Sequence, residues 1–213
     1  MLGLEAFIGF AALVGGAYAI GQMTCVSFNS TSSSSDFAIV SNSRAAPIYY
    51  SSEDWGGVQL ATTNFATDIE RVTGVLPTLN SLASSSIASM SVPSNTYPII
   101  VGTLGQSPLI DTVANRTNLD VSSIEGQWEA FMTRVVSNPL PGVQAAYVMI
   151  GADKRGTIYA LYDHSEQFGK WAPFRHHLPP LPGLLMKLLG FGVKVSLRGT
   201  GTLLRCAVPG AST

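Results

Sequence analysis

The sequence predicts an α/β protein of mixed α+β character, a small sheet with helices packed on it. Three observations carry that prediction. Short apolar runs bounded by turn residues alternate with stretches whose apolar residues recur every three or four positions. The composition, 46% hydrophobic and 12% charged over 213 residues, is that of a globular chain able to bury a core. Ile99-Ile100-Val101 and Ala145 to Ile150 are too continuously apolar for half-exposed strands, so they are read as buried ones.

The elements follow in order. After a Ser-rich linker at Ser30 to Ser35, Phe37-Ala38-Ile39-Val40 and Pro47-Ile48-Tyr49-Tyr50 are predicted as two strands around a turn at Asn42-Ser43. Val58, Ala61, Phe65, Ile69 and Val72 then share one face of an amphipathic helix, with Ser52 as its N-cap and Gly74 able to end it. Pro98 to Val101 is a strand that runs into Gly102-Thr103-Leu104-Gly105-Gln106-Ser107. There Ser107 is a cap and Pro108 the first helical residue. Phe131 to Val136 alternates like a hairpin strand, Asn138 to Gly142 turns the chain, and Ala145 to Ile150 returns. In the closing helix Ile158, Leu161, Tyr162, Ser165 and Phe168 face one way.

The ends differ from this body. Ala6 to Ile20 is apolar and closes on Ala17-Tyr18-Ala19, which predicts a signal peptide over 1–19 and a secreted, extracellular protein. The charge pattern before it is unusual, with Glu5 and no base before Arg44; a buried or membrane-anchoring start is the alternative. The run is short for a membrane span, which needs roughly 20 apolar residues. Asn29-Ser30-Thr31 and Asn115-Arg116-Thr117 are glycosylation sequons suited to that compartment. Cys25 and Cys206 are the only cysteines, so no disulfide scaffold is predicted. Residues 1–169 hold all 13 acids and 6 of the 12 bases, a balance of −7; residues 170–213 hold the other 6 bases and no acid.

Three loops are candidates for chemistry. Gly102 to Ser107 joins a strand to a helix N-terminus where backbone N–H groups can hold an anion, and Gly102 and Thr103 are the candidate residues. It lacks both the dinucleotide fingerprint and a Gly-Lys-Ser/Thr end, so a plain tight turn is the stronger reading. Asp153-Lys154-Arg155-Gly156 lies at a strand's carboxyl end, the usual ligand position in open α/β sheets. Arg155 could clamp a carboxylate with its planar fork, or pair with Asp153 and close the loop. Asp163-His164-Ser165 has the residue types of a hydrolase triad, but consecutive helical side chains point about 100° apart and cannot bond in series. His164 is therefore expected to be a solvated helix residue. His176-His177 lacks further ligands, so no metal and no cofactor are predicted. No pair of carboxylates suited to glycoside cleavage is identifiable.

Four blocks carry a resemblance: "APIYYSSEDWGGVQLATTNFATDIERVTGVLPTL", "PIIVGTLGQSPLID", "IEGQWEAFMTRVVSNPLPGV" and "IGADKRGTIYALYDHSEQFG". In this order, from about Ile39 to Gly169, they resemble the N-terminal region of fungal glycoside hydrolase family 115, the secreted xylan alpha-1,2-glucuronidases. The resemblance implies an accessory α/β domain over 37–169, preceded at 20–36 by the linker and a first strand. In the family a TIM-like barrel follows, and that barrel carries most of the inverting apparatus that releases (4-O-methyl)glucuronic acid from glucuronoxylan. Trp55, Gly102, Asp153, Lys154, Arg155, Gly156 and Tyr162 fall in family motifs, none with a catalytic role to carry over. They look like scaffold and interface, and the Lys-Arg-Gly turn is expected to dock the next domain.

After Gly169 the family pattern stops and "KWAPFRHHLPPLPGLLMKLLGFGVKVSLRGTGTLLRCAVPGAST" begins. An abrupt change to an acid-free, basic, Pro-rich tail suggests a frameshifted or mis-spliced reading; a disordered end, or Leu181 to Leu189 lying on an anionic membrane, are the alternatives. The expectation is an accessory domain that is inactive alone, with glucuronoxylan as the partner of the complete enzyme and with no nucleic acid or membrane. The alternatives are a non-functional truncated product and a stand-alone xylan-binding module. In the latter, Trp55, Trp128 or Trp171 stacks on sugar and Arg155 meets the uronic acid. Exposure separates them, and Trp55, near a helix start, is expected to be buried.

Overall fold

In a computed structural model the described residues are 26–28, 36–93, 96–170, 195–198 and 203–204. The signal segment, Asn29, both cysteines, Trp171, the His176-His177 pair and Leu181 to Leu189 lie outside them.

The body is a six-stranded mixed sheet with helices on both faces, an α/β fold. The elements that build it are β4 (Ile48–Ser51), α1 (Gly56–Thr73), β5 (Leu79–Leu82), a 3₁₀ helix (Ser84–Ser89), β6 (Ile99–Thr103), α2 (Pro108–Thr117), β7 (Phe131–Ser137), β8 (Ala145–Gly151) and α3 (Lys154–Lys170). With β10 (Leu203–Leu204) the strand order is β10-β7-β8-β6-β4-β5. β5, β4, β6 and β8 run parallel, and β7 returns antiparallel on β8. A second, antiparallel sheet has the order β1-β9-β2-β3, from β1 (Val26–Phe28), β2 (Asp36–Ser41), β3 (Arg44–Ala45) and β9 (Val195–Arg198). Two short segments of the tail thus pair as strands, where the sequence alone suggests none.

Strand alternation divides the core in two. Ile99, Val101, Tyr147 and Met149 point to α1 and α3, where Phe65, Ile69, Leu161 and Phe168 meet them; Ile39 and Phe37 of β2 close that side. Ile100, Val148 and Ile150 point the other way, to Leu109, Ile110 and Val113 of α2 and to Ile124. Both faces of β6 and β8 are therefore covered, which is why these strands are apolar without alternation.

The predicted turns are in place. Asn42 and Ser43 both take left-handed backbone (φ 52° and 59°), the turn a tight hairpin needs, but it joins β2 to β3; β4 leaves for the larger sheet. Gly74 ends α1 in left-handed conformation, and Ser107 Oγ caps α2 by accepting from Ile110 N. Ser52 does not cap α1. That helix starts at Gly56 because the residues before it are already bonded, Ser52 N to Leu82 O of β5, and Glu53 N and Asp54 N back to Ser51 in a turn.

Candidate functional site

In open α/β sheets the ligand crevice opens where successive connections leave on opposite faces. Here that point is between β4 and β6, since α1 follows β4 to one face and α2 follows β6 to the other. The crevice is filled by a residue that sequence reasoning passed over. Asp54, 4% exposed, accepts from Trp55 N through Oδ1 (2.7 Å) and from Thr103 N through Oδ2 (2.9 Å). Burial raises its pKa, with the two N–H donors opposing. The carboxylate ties the β4 loop to the β6 loop.

The Gly102–Ser107 loop is spent in the same way. Thr103 N goes to Asp54, Leu104 N to Gly151 O and Gly105 N to Asp111 Oδ1. Those are the donors that an anion would need. Gly102 is a glycine because a Cβ there would strike the capping Ser107. Thr103 Oγ1 lies 2.8 Å from Thr157 Oγ1, which joins this loop to α3.

Asp153 precedes α3 and caps it, Oδ1 accepting from Gly156 N (2.7 Å), while Oδ2 accepts from Glu129 N (2.9 Å). Glu129 has left-handed backbone (φ 56°), which the bond from Asp153 holds in place. Arg155 pairs with Glu129 at 2.9 Å, and not with Asp153; its Nη2 also donates to Tyr159 Oη at 3.0 Å. Gly156 packs so closely on Ala130 O that no side chain fits. The loops after β4, β6 and β8 and the turn before β7 thus lock one another.

What remains accessible is a ledge over these loops. Trp128 is 77% exposed, with the Arg155 guanidinium 5.8 Å from its ring centre. Trp55 is 47% exposed, contrary to the expected burial, with Lys154 Nζ 5.8 Å from its ring. Trp55 stays out because it precedes the helix, and the inward face begins only at Val58. Tyr162 also departs from expectation: it is exposed and its Oη accepts from Asn64 Nδ2 across α1 and α3, while Ala160, Leu161, His164 and Phe168 form the buried face.

His164 is fully buried, not solvated. Nδ1 faces Ala160 O at 2.8 Å and Nε2 faces Tyr147 Oη at 2.9 Å. A carbonyl can only accept, so Nδ1 carries the proton and Tyr147 donates to Nε2. Burial lowers the imidazole pKa to about 4. The neighbouring Asp163 accepts from Gln167 Nε2, and Gln167 Oε1 accepts from Val26 N, so this polar chain fastens β1 to α3.

A concavity lies elsewhere, at the β5 edge: about 480 Å3, lined by Tyr49, Asn80, Leu82, Ser86, Met90 and neighbouring serines, with no charged side chain. Among the described residues no group of His, Cys, Asp and Glu is placed to hold a metal, and no helix is long and apolar enough to cross a membrane. Asn115 is exposed on α2.

No protein-family model matches the chain, and no curated protein does. Among solved structures it is similar to one described as a novel family GH115 4-O-methyl-alpha-glucuronidase with specificity for decorated arabinogalactans. That similarity has 25% identity and a TM-score of 0.44 over 63% of this chain. The chain spans 14% of the length of that structure, and at that TM-score the likeness carries neither fold nor function across.

Proposed function

We propose that this chain is the N-terminal accessory domain of a secreted alpha-glucuronidase that removes (4-O-methyl)glucuronic acid from glucuronoxylan, and that it hydrolyses nothing alone. The observation that carries this reading is the fate of the polar groups at the strand ends. Asp54 and Asp153 each accept two backbone N–H groups, Asp111 accepts one, and Glu129 is paired with Arg155. Inverting hydrolysis needs one carboxyl free to donate a proton and another free to activate water across a cleft. Acids bonded to their own backbone hold a scaffold together instead. The sequence blocks that resemble family 115 fall on this same body, from the end of β2 to α3.

Docking to a following domain is assigned to the outer α1–α3 face. Leu60 is 63% exposed one turn before Asn64, and Tyr162 stands beside Asn64. The Asp153–Gly156 turn begins α3, and its Asp153 carboxylate is bonded to Gly156 N and Glu129 N.

Incubation of the purified chain with glucuronoxylan should release no 4-O-methylglucuronic acid. Release would place chemistry in these loops and overturn the reading. Ancestry has a separate test: the chain should bind, and raise the melting temperature of, a family 115 enzyme that lacks its own N-terminal domain. Leu60→Asp should abolish that association. No association with the unaltered chain would refute the accessory role.

A further inference from the structure

We propose that the ledge formed by Trp128, Arg155, Lys154 and Trp55 is itself a binding surface for a polysaccharide that carries spaced carboxylates. This deepens the accessory-domain reading, on which the choice of polysaccharide rests, by giving the domain its own contact with substrate.

The first support is exposure. Indoles are among the most costly side chains to leave in water, and the two here lie outside both core clusters. Each offers a flat apolar face suited to the C–H face of a sugar ring. The second is the pairing of each ring with a cation. Consecutive residues at the start of α3 stand over the two indoles, Lys154 over Trp55 and Arg155 over Trp128, so both rings flank the same helix start. The third is preorganisation. Arg155 is anchored through Nη2 alone, to Glu129 and Tyr159, which leaves Nη1 and Nε without a partner among the described residues. A guanidinium fixed at one corner keeps donors for a carboxylate and loses little freedom on binding.

The same residues select against other polyanions. Two cations stand beside two acids, Glu129 and Asp153, so the ledge carries little net charge. Nucleic acid carries a charge at every phosphate and is held by many cations at once. A glycan with neutral sugars between occasional uronic acids matches two rings and two cations better. The ledge is open, so it suits the side of a polymer more than an enclosed small ligand.

Affinity electrophoresis of the full chain through gels containing glucuronoxylan, or the same polymer with its carboxyls reduced to alcohols, tests the proposal. Retardation is expected in the first gel and about 5- to 10-fold weaker in the second. Trp128→Ala should lose most of the retardation in both, with an unchanged urea midpoint, because the ring is exposed. Arg155→Gln should bring the first gel to the level of the second. If losing the Glu129 contact lowers its urea midpoint, Lys154→Gln, whose described contact is with Trp55, replaces it. Equal retardation in the two gels, none in either, or full retardation of Trp128→Ala would each overturn the proposal. These results do not depend on association with a barrel, so the ledge and the accessory role fail separately.

Discussion

Acidification should destabilise this fold through His164. The neutral imidazole is fixed between Ala160 O and Tyr147 Oη with no solvent contact. Protonation would force a second N–H against the Tyr147 hydroxyl, which must then turn and accept, and would place a charge among Phe65, Phe168 and Tyr147. The folded pKa is about 4 against 6.5 for the free side chain. A base whose pKa is depressed by folding is bound by more protons when unfolded, so stability falls as pH falls. The loss begins near the unfolded value and is complete below the folded one. At about 1.36 kcal/mol per pH unit, the cost between about pH 7.5 and about pH 4.5 is about 2.5 kcal/mol. Carboxylates titrate over part of the same range; Asp54, whose pKa is raised, shifts stability the opposite way. The comparison is therefore with His164→Gln, which keeps an acceptor for Tyr147 but does not titrate. Urea unfolding of the two proteins across that range should show the wild type losing about 2.5 kcal/mol more than the variant. The imidazole proton resonances should not titrate above about pH 5. Asp163 Oδ2 lies 3.9 Å from Nδ1 and would favour the charged form. An imidazole that titrates near its free value, or stability curves that run parallel, would mean that this carboxylate cancels the burial and would refute the reasoning.

Asp54→Ala removes the acceptor of two backbone N–H groups at the switch point and should cost about 2–4 kcal/mol by urea unfolding, with faster amide exchange at Thr103. Gly156→Ala should destabilise by more than about 3 kcal/mol despite alanine's helix preference, because Ala130 O blocks the new methyl; a gain in stability would show that the β7 entrance can move. Phe65→Ala, which empties the space between His164 and Phe168, should cost about 3–5 kcal/mol in the same assay.

The local punctuation of this fold was legible in the sequence. Ser107-Pro108, Gly74, Asn42-Ser43 and the turn before β8 each determine backbone geometry within a few residues, and the elements they bound are where the pattern placed them. Partners across the sheet were not legible. Ser52 looks like a helix cap but is taken by Leu82, and β4 looks like the partner of β2 but pairs with β5 and β6. His164 and Tyr162 were misassigned because a helix with apolar and polar residues interleaved has two defensible inward faces. Tyr147, 17 residues away, decides between them by offering a hydroxyl to the imidazole. At the candidate site, Asp153 to Gly156 and Gly102-Thr103 do meet at the strand ends. Asp54 and Glu129, which neutralise and brace them, carry no local motif.

That bracing links the fold to the proposed activity. A loop cluster built for catalysis keeps polar groups unsatisfied until substrate arrives, at a cost in stability. Here the bonds run from Asp54 to Thr103, from Thr103 to Thr157, and from Asp153 to Glu129, so each loop is fastened to the next. The interior of the cluster has little left to offer a ligand. The side chains on its rim are in the opposite condition: Trp128 and Trp55 project from backbone that these bonds hold still. Weak contacts to a long polymer benefit most from such an arrangement, since each ring that stacks gives up little freedom of its own and the next site is already nearby. Loosening the cluster should therefore weaken retention of the glycan even where no rim residue is changed. Asp54→Ala tests this without touching either indole: if it lowers stability yet leaves affinity intact, rigidity of the loops contributes nothing to the ledge.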